Sequence, residues 1–374
     1  MERKILPLSI GESKLYVNTD LLLPKKEELE SFLEGNKYMN SKKFAKNVLF
    51  SHEIKNNNNV EGYYDDIDLV YNILNNNLKI NDKNKEQRIK NLYSGYKYIY
   101  KERPINKDNL KELYSILSKG LLTKKELNEM GEYYRLNPVY IFYSSNLATE
   151  PEMGMNADTI DFYMNELFDY INDNSDINYQ VDHFIKSQIM HFQFVNIHPY
   201  YDINGRTART TSMWYLLNNE VYPYIIFNRA ILMDKPNYYK IIRDVKKFHN
   251  VTYFTNYMLE NVRVELEKEY VIDMIKSVAS DITALDYQTI YYILSMNSAL
   301  TVKDFINFYN THNDKKKGSE IYNNMIIPLL EKGIIEKGQD TKSFLNSSEH
   351  NFRFRLNDNM YECDDKVKYL KLKK

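Results

Sequence analysis

The twelve residues His198-Pro-Tyr-Tyr-Asp202-Ile-Asn204-Gly205-Arg206-Thr207-Ala-Arg209 gather an imidazole, a carboxylate, a carboxamide, a glycine and two guanidinium groups. Each type alone has a commoner structural use. A histidine near a helix end caps or packs, Asp-x-Asn-Gly turns the chain, and two arginines three apart line a solvated face. Together they are the parts for handling a phosphorylated group. Backbone N–H groups at a helix N-terminus favour anions. Gly205 lets backbone approach a ligand closely. Arg206 and Arg209 offer fork-shaped donors to phosphate. Asp202 can hold a Mg²⁺ that also bridges phosphates, and His198 is placed as a general base.

These residues need a helix on either side of the loop. Val181, Ile185, Ile189 and Phe192 recur at spacings of four, four and three, which predicts a helix over 179–196. Residues 207–218 predict the second helix, with the loop 200–206 between them. Helical patterns also cover 26–33, 41–54, 67–74, 86–101, 108–117 and 158–171. The run Asn56 to Asn59 reads as a loop. Val139-Tyr140-Ile141-Phe142, then Ser144-Ser-Asn146 and Leu147 to Glu150, reads as a β-hairpin. Beyond residue 280, three short helices (287–295, 302–309 and 319–330, the last broken at Pro328) precede Gly333-Ile-Ile and the alternating Phe352-Arg-Phe-Arg-Leu356. That order predicts a winged-helix module.

Composition narrows the class. Lys plus Arg number 50 against 51 Asp plus Glu, so no net basic excess draws the chain to nucleic acid or anionic membrane. Cys363 is the one cysteine, which excludes a disulfide framework and a cysteine-rich zinc site. The apolar run at the N-terminus is too short for a signal peptide, and no stretch is long enough to span a bilayer. A cytoplasmic protein is the expectation.

The segment His198 to Arg209 resembles the signature of the Fic family, His-Pro-Phe-x-Asp-Gly-Asn-Gly-Arg-x-x-Arg, and the preceding His191-x-Gln193-Phe194-x-x-Ile197 is also similar to family members. The resemblance implies a mostly helical core over about 86–270, and transfer of AMP from ATP to a hydroxyl of a protein with release of pyrophosphate. By position, His198 would deprotonate the target hydroxyl, and Asp202 would bind Mg²⁺. Asn204, Gly205 and Arg206 would hold the α- and β-phosphates, Thr207 would line that site, and Arg209 would meet the γ-phosphate. The hairpin carrying Tyr140, Ile141 and Phe142 corresponds to a flap that binds the target as an added strand. Tyr238 and Tyr239 resemble an element near the adenosine.

Two positions depart from the pattern. Tyr200 replaces phenylalanine, keeping an aromatic anchor and adding a hydroxyl. Ile203 replaces a small residue in the anion-binding turn, and a β-branched side chain is poorly suited to positive φ. Family members also carry an inhibitory helix, Ser/Thr-x-x-x-Glu-Gly/Asn, whose glutamate pairs with the second arginine. Here Glu61-Gly62 matches its end, with Asn57 where Ser or Thr is expected. A second frame, from Ser51, puts Lys55 at the glutamate position. Gly62 and the helix that follows favour Glu61.

The expected protein thus has an N-terminal helical region (1–85) carrying the inhibitory motif, a catalytic core (86–270) and a winged helix (280–374). It would be a Mg²⁺-dependent protein adenylyltransferase acting on itself or another protein. Two alternatives stand beside it. One is removal of AMP from a modified protein, with Glu61 orienting water. The other is a DNA-binding regulator using the winged helix, where Lys315-Lys-Lys317 supplies a modest basic patch. A homodimer fits any of these, and no membrane partner is expected.

Overall fold

The computed structural model describes residues 3–34, 49–76, 78–101, 103–141, 151–173, 181–221, 226–279, 281–296, 300–338 and 352–360. A hairpin, β1 (Lys4–Ile10) and β2 (Ser13–Val17), opens the chain, turning at Gly11 with φ 58°. Helices α1 (Thr19–Glu34), α2 (Leu49–Val60), α3 (Ile67–Asn75), α4 (Lys83–Ile99), α5 (Lys107–Ser118) and the short α6 (Lys124–Asn128) follow. A small hairpin, β3 (Tyr140–Ile141) and β4 (Glu152–Met153), precedes α7 (Ile160–Asn172), α8 (His183–Ile197) and α9 (Asn204–Asn218). Then come α10 (Phe227–Met233), α11 (Lys235–Phe248) and the long α12 (Thr252–Val278). The last part holds α13 (Ala284–Ser295), β5 (Leu300–Thr301), α14 (Val302–His312), α15 (Gly318–Ile321), α16 (Ile327–Glu331), β6 (Ile335–Lys337) and β7 (Arg353–Leu356). The protein is mostly α, and no helix among the described residues is long and apolar enough to cross a membrane.

The chain divides into two compact units, Met1–Tyr63 with Leu69–Asn261, and Tyr64–Asp68 with Val262–Lys374. In the first unit α8 and α9 are the buried centre. Every residue from Phe184 to Ile197 is buried, as is nearly all of α9. Burial of such helices favours partners for their polar groups. Gln193 therefore donates to the Ser9 carbonyl at 2.9 Å, and His191 Nε2 meets the Tyr238 hydroxyl at 3.0 Å. Thr207, Thr210 and Thr211 return their hydroxyls to carbonyls four residues back. Asp182 caps α8 by accepting from the Phe184 and Ile185 amides, so the helix starts at residue 183 and not at 179.

Two local expectations fail. Asn56 to Asn59, predicted as a loop, is the last turn of α2 and is buried. Asparagine is a poor helix former, but here tertiary hydrogen bonds described below override propensity. The β1–β2 hairpin was not expected at all. Its strands carry Leu6, Leu8, Leu15 and Val17 into the core, and Ser9 and Lys14 bind Glu166 of α7.

From α13 onward the element order of the second unit is helix, strand, helix, a helix interrupted between α15 and α16, strand, strand, and the sheet order is β5–β7–β6, all antiparallel. The break expected at Pro328 falls just before it, and Pro328 itself sits in the first turn of α16. Residues 322–326 form a wide π-turn between α15 and α16, which re-phases the helix around a residue that lacks an N–H.

Candidate active site

The loop from α8 to α9 brings the predicted residues together. His198 ends α8 in the left-handed conformation, φ 53°, ψ 60°. Its side chain is half-buried, and its Nδ1 is buried with no partner of good hydrogen-bond geometry. Desolvation, offset by the Val195 backbone and reinforced by the Lys246 and Arg135 charges, pushes its pKa down to about 4. The imidazole is therefore neutral near pH 7, the form that can accept a proton.

Tyr200 anchors the loop. Its ring is 1% exposed and stacks on Tyr114 with centroids 3.5 Å apart and planes 7° from parallel. Asn204 uses its side chain as a clamp, accepting from the Tyr200 N–H at 2.9 Å and donating to the Tyr200 carbonyl at 2.8 Å. What Asn204 can offer an anion is thus its main-chain N–H. Ile203 caps α9 with φ 69°, ψ 11°, the positive φ that its branched side chain disfavours. Its side chain is 2% exposed, so core packing holds it there. No side chain caps α9, which leaves its first-turn N–H groups without acceptors within the helix.

The two arginines differ. Arg206 is buried, with its Nε lacking a partner, its guanidinium 5.8 Å from the Tyr63 ring centroid, and Asp202 Oδ2 3.7 Å from Nη2. The Asp202 side chain is 53% exposed. Arg209 is held through Nε and Nη2 by α2 and the residue that follows it. Nε and Nη2 donate to Asn57 Oδ1 at 3.1 and 2.7 Å, and Nη2 also donates to Glu61 Oε1 at 2.6 Å. Asn57 and Glu61 are four residues apart and share a helix face. Lys55, two residues before Asn57, falls about 200° around that helix and is buried.

Local sequence sets this contact. Gly62, φ 87°, closes α2 in a Schellman turn, with Gly62 N–H bonded to the Asn59 carbonyl and Tyr63 N–H to the Asn58 carbonyl. A carboxylate at a helix C-terminus opposes the dipole. Burial also raises the Glu61 pKa, but Arg209, Arg206 and Lys235 outweigh it and hold the carboxyl below its ordinary value. Gly205 makes room: a Cβ there would collide with Glu61 Oε1 and lie 2.9 Å from Arg209 Nη1. Asn57 passes its amide N–H to the Tyr96 hydroxyl at 3.0 Å, which fixes Oδ1 toward Arg209.

Thr207 is wholly buried, its hydroxyl on the Ile203 carbonyl at 2.8 Å. Tyr238 is buried between His191 and Phe254, and Tyr239 packs edge-on against it near Lys235. Tyr140 is 64% exposed and pairs with Met153, and Ile141 pairs with Glu152. Phe142 lies outside the described residues.

Sequence reasoning missed two residues beside the site. Lys246 of α11 holds Glu152 of β4 at 2.7 Å. Arg135, 1% exposed, bonds the His198 carbonyl. Their separations in sequence, 94 and 63 residues, leave no local signal.

Residues 104–216 match the model of the Fic/DOC family. The fold is similar to that of a Fic family protein from Desulfovibrio desulfuricans G20, at 18% identity and a TM-score of 0.55, over 91% of this chain and 95% of that one. It is also similar to Fic-1 (residues 134–508) from C. elegans, at 16% identity and a TM-score of 0.52, over 69% and 76% of the two chains. These identities speak for the fold. The stretch that contains the His198 loop and most of α9 thus matches the Fic/DOC family model, within a chain whose fold is similar to that of Fic proteins.

Proposed function

We propose that the protein transfers AMP from ATP to the hydroxyl of a Ser, Thr or Tyr side chain, on itself or on another protein, and that its resting form is self-inhibited by Glu61. The observation that carries this reading is the seat of Glu61. A carboxylate already lies at the open N-terminus of α9, on Arg209 and over the gap left by Gly205. The same donors suit a phosphate. In the reaction the acceptor oxygen bonds to the α-phosphorus, the bond to the β-phosphate oxygen breaks, and pyrophosphate leaves. His198 takes the acceptor proton at its imidazole. Arg206 and the α9 amides face the charge that develops. Arg209 is free for the γ-phosphate only once Glu61 lets go.

Mg²⁺ belongs to this reading as a companion of the nucleotide. Among the described residues no group of three or more His, Cys, Asp or Glu side chains gathers. A single exposed carboxylate, Asp202, fits an ion that takes most of its ligands from phosphates and water. Bound there, it would neutralise phosphate charge. The β3–β4 hairpin, with Tyr140 and Met153 exposed, would hold the acceptor chain by β-augmentation. The helix and strand order of the second unit supports a winged helix. DNA binding is the weaker use for it, because Lys316 of the basic run is tied to Asp66 at 2.8 Å. Removal of AMP by the same site, with ionised Glu61 orienting water, is the second reading, and the seat of the Glu61 carboxylate beside Gly205 suits it. A cytoplasmic location completes the proposal.

Incubation with α-labelled ATP, GTP, UTP and CTP tests the reading. ATP should label the protein in the presence of Mg²⁺, and more so for Glu61→Gly. Absence of label from every nucleotide in both proteins overturns it, and loss of label from an AMP-modified protein selects the second reading. Asp202→Asn should raise the Mg²⁺ midpoint, and an unchanged midpoint removes Asp202 as the ligand.

A further inference from the structure

Arg135 is among the largest fully buried side chains, and among the described residues no carboxylate acts on it. All three guanidinium nitrogens donate to main-chain carbonyls instead. Nε binds His198 at 2.9 Å, Nη1 binds Asn137 at 2.8 Å and Nη2 binds Met155 at 2.5 Å. Its own N–H donates to the Pro199 carbonyl at 3.0 Å. Tyr201, three residues beyond His198, repeats the link. Its hydroxyl accepts from the Asn137 N–H at 3.0 Å and donates to the Glu129 carbonyl at 2.9 Å. Gly154 bonds the Val139 carbonyl at 2.8 Å at the hairpin root, and a Cβ there would lie 3.3 Å from Nη2 and 2.8 Å from Val139 Cγ2.

Resting on the transfer reading above, we infer that Arg135 is a positioning residue that fixes the left-handed backbone of His198 to both strands at the root of the β3–β4 hairpin, so that the acceptor hydroxyl arrives in register with the imidazole. Residue 137 leads into β3 and residue 155 follows β4, so one planar fork sets the spacing of the two strand roots and of the base. A backbone held at positive φ by an outside donor is a strained arrangement kept by its surroundings. The fork is needed because a lysine, with a point charge, cannot reach three carbonyls in fixed directions. The charge has a further consequence. With Lys246 of α11 it disfavours protonation of His198, while Glu61 of the α2 end favours it.

The test uses the full chain carrying Glu61→Gly, so that transfer is measurable, with Arg135→Lys, Arg135→Met and Gly154→Ala added singly. Self-labelling against ATP concentration gives kcat and KM, calorimetry gives ATP affinity, and hydrogen exchange reads the Ile141 and Gly154 amides. For Arg135→Lys we expect kcat to fall at least tenfold with KM and ATP affinity within twofold, and faster exchange confined to the hairpin and the 198–201 loop. Arg135→Met should lose as much or more. A purely structural role would instead loosen exchange throughout the core and weaken ATP binding in step with kcat. Should both Arg135 variants fail to fold, Gly154→Ala displaces the fork from the hairpin side alone and should still lower kcat severalfold. Wild-type kcat in folded Arg135→Lys or in Gly154→Ala overturns the inference. If the parent labels with no nucleotide, the transfer reading has failed. The positioning role is then judged on exchange and on the His198 imidazole resonances, and it falls if Arg135→Lys leaves both unmoved.

Discussion

The two ends of the His198–Arg209 segment are built in opposite ways. At the first end, His198 keeps its imidazole half-buried and neutral, and the clamps fall on its backbone through Arg135. At the second end, the clamps fall on the functional group itself, with Asn57 and Glu61 occupying the Arg209 guanidinium. Under the proposed transfer, the first end would be poised to take a proton and the second closed to phosphate. The difference lies in where the restraint acts. Holding a backbone preorganises a side chain, whereas holding a side chain withdraws it from use.

Removing the poised end should have the largest effect. His198→Ala takes away the proposed base and should leave the fold, because the buried Nδ1 has no hydrogen-bond partner of good geometry to lose. Transfer should fall by about 10² to 10⁴-fold. Retained labelling at an unchanged melting temperature would take the role from His198.

Opening the closed end should act in the other direction. A hydrogen bond to a charged group contributes about 1.5–3 kcal/mol, so Glu61→Gly should raise labelling roughly 10- to 100-fold. Asn57 complicates this, because its carboxamide keeps hold of Arg209 after Glu61 is gone. Asn57→Ala alone should give a gain of a few fold, and the double variant should exceed the product of the two. A double-mutant cycle with no coupling would show that the two residues act on separate states. No gain in labelling for Glu61→Gly would mean that this contact does not limit nucleotide use.

What could be read in the sequence follows the same division. The His198 end, the loop and the two central helices are local, all between residues 183 and 218, and spacing alone places them. The closed end joins residues 148 and 152 positions apart. Resemblance pointed to Glu61-Gly62, but the asparagine run before it read as a loop. Its helix exists because Arg209 and Tyr96 satisfy Asn57, a reason invisible to local propensity. The β1–β2 hairpin and Arg135 were missed for the same cause: their partners lie far along the chain.

Glu53 offers a smaller test, on stability. It is buried on α2 and accepts from the Asn228 side chain and N–H. Burial pushes its pKa up to about 8, against the opposing pull of Asn228, Arg229 and Arg209. The folded protein therefore holds a proton here that the unfolded chain releases above about pH 4.5. The associated stability is full below that pH and is lost as pH rises toward 8. Glu53→Gln mimics the protonated acid. Its melting temperature should match the wild type near pH 5 and exceed it by pH 8.5. Parallel curves across that range would remove Glu53 as the source.

The smallest effect on nucleotide binding should come from Ile203→Gly, although the position departs from the family pattern. An L-residue at φ 69° carries strain of about 1–2 kcal/mol, which glycine relieves. Against this stands a side chain only 2% exposed, whose truncation costs about 2–5 kcal/mol with the cavity it leaves. The second effect is larger, so the variant should be less stable by about 1–3 kcal/mol. Binding is another matter. The backbone already has the turn that presents the α9 amides, and glycine neither creates that turn nor adds a donor. ATP affinity by calorimetry should stay within about twofold, with the melting temperature lowered. A clear rise in affinity would show that isoleucine holds the turn away from the conformation an anion needs, and that strain here restrains the site as firmly as Glu61 does.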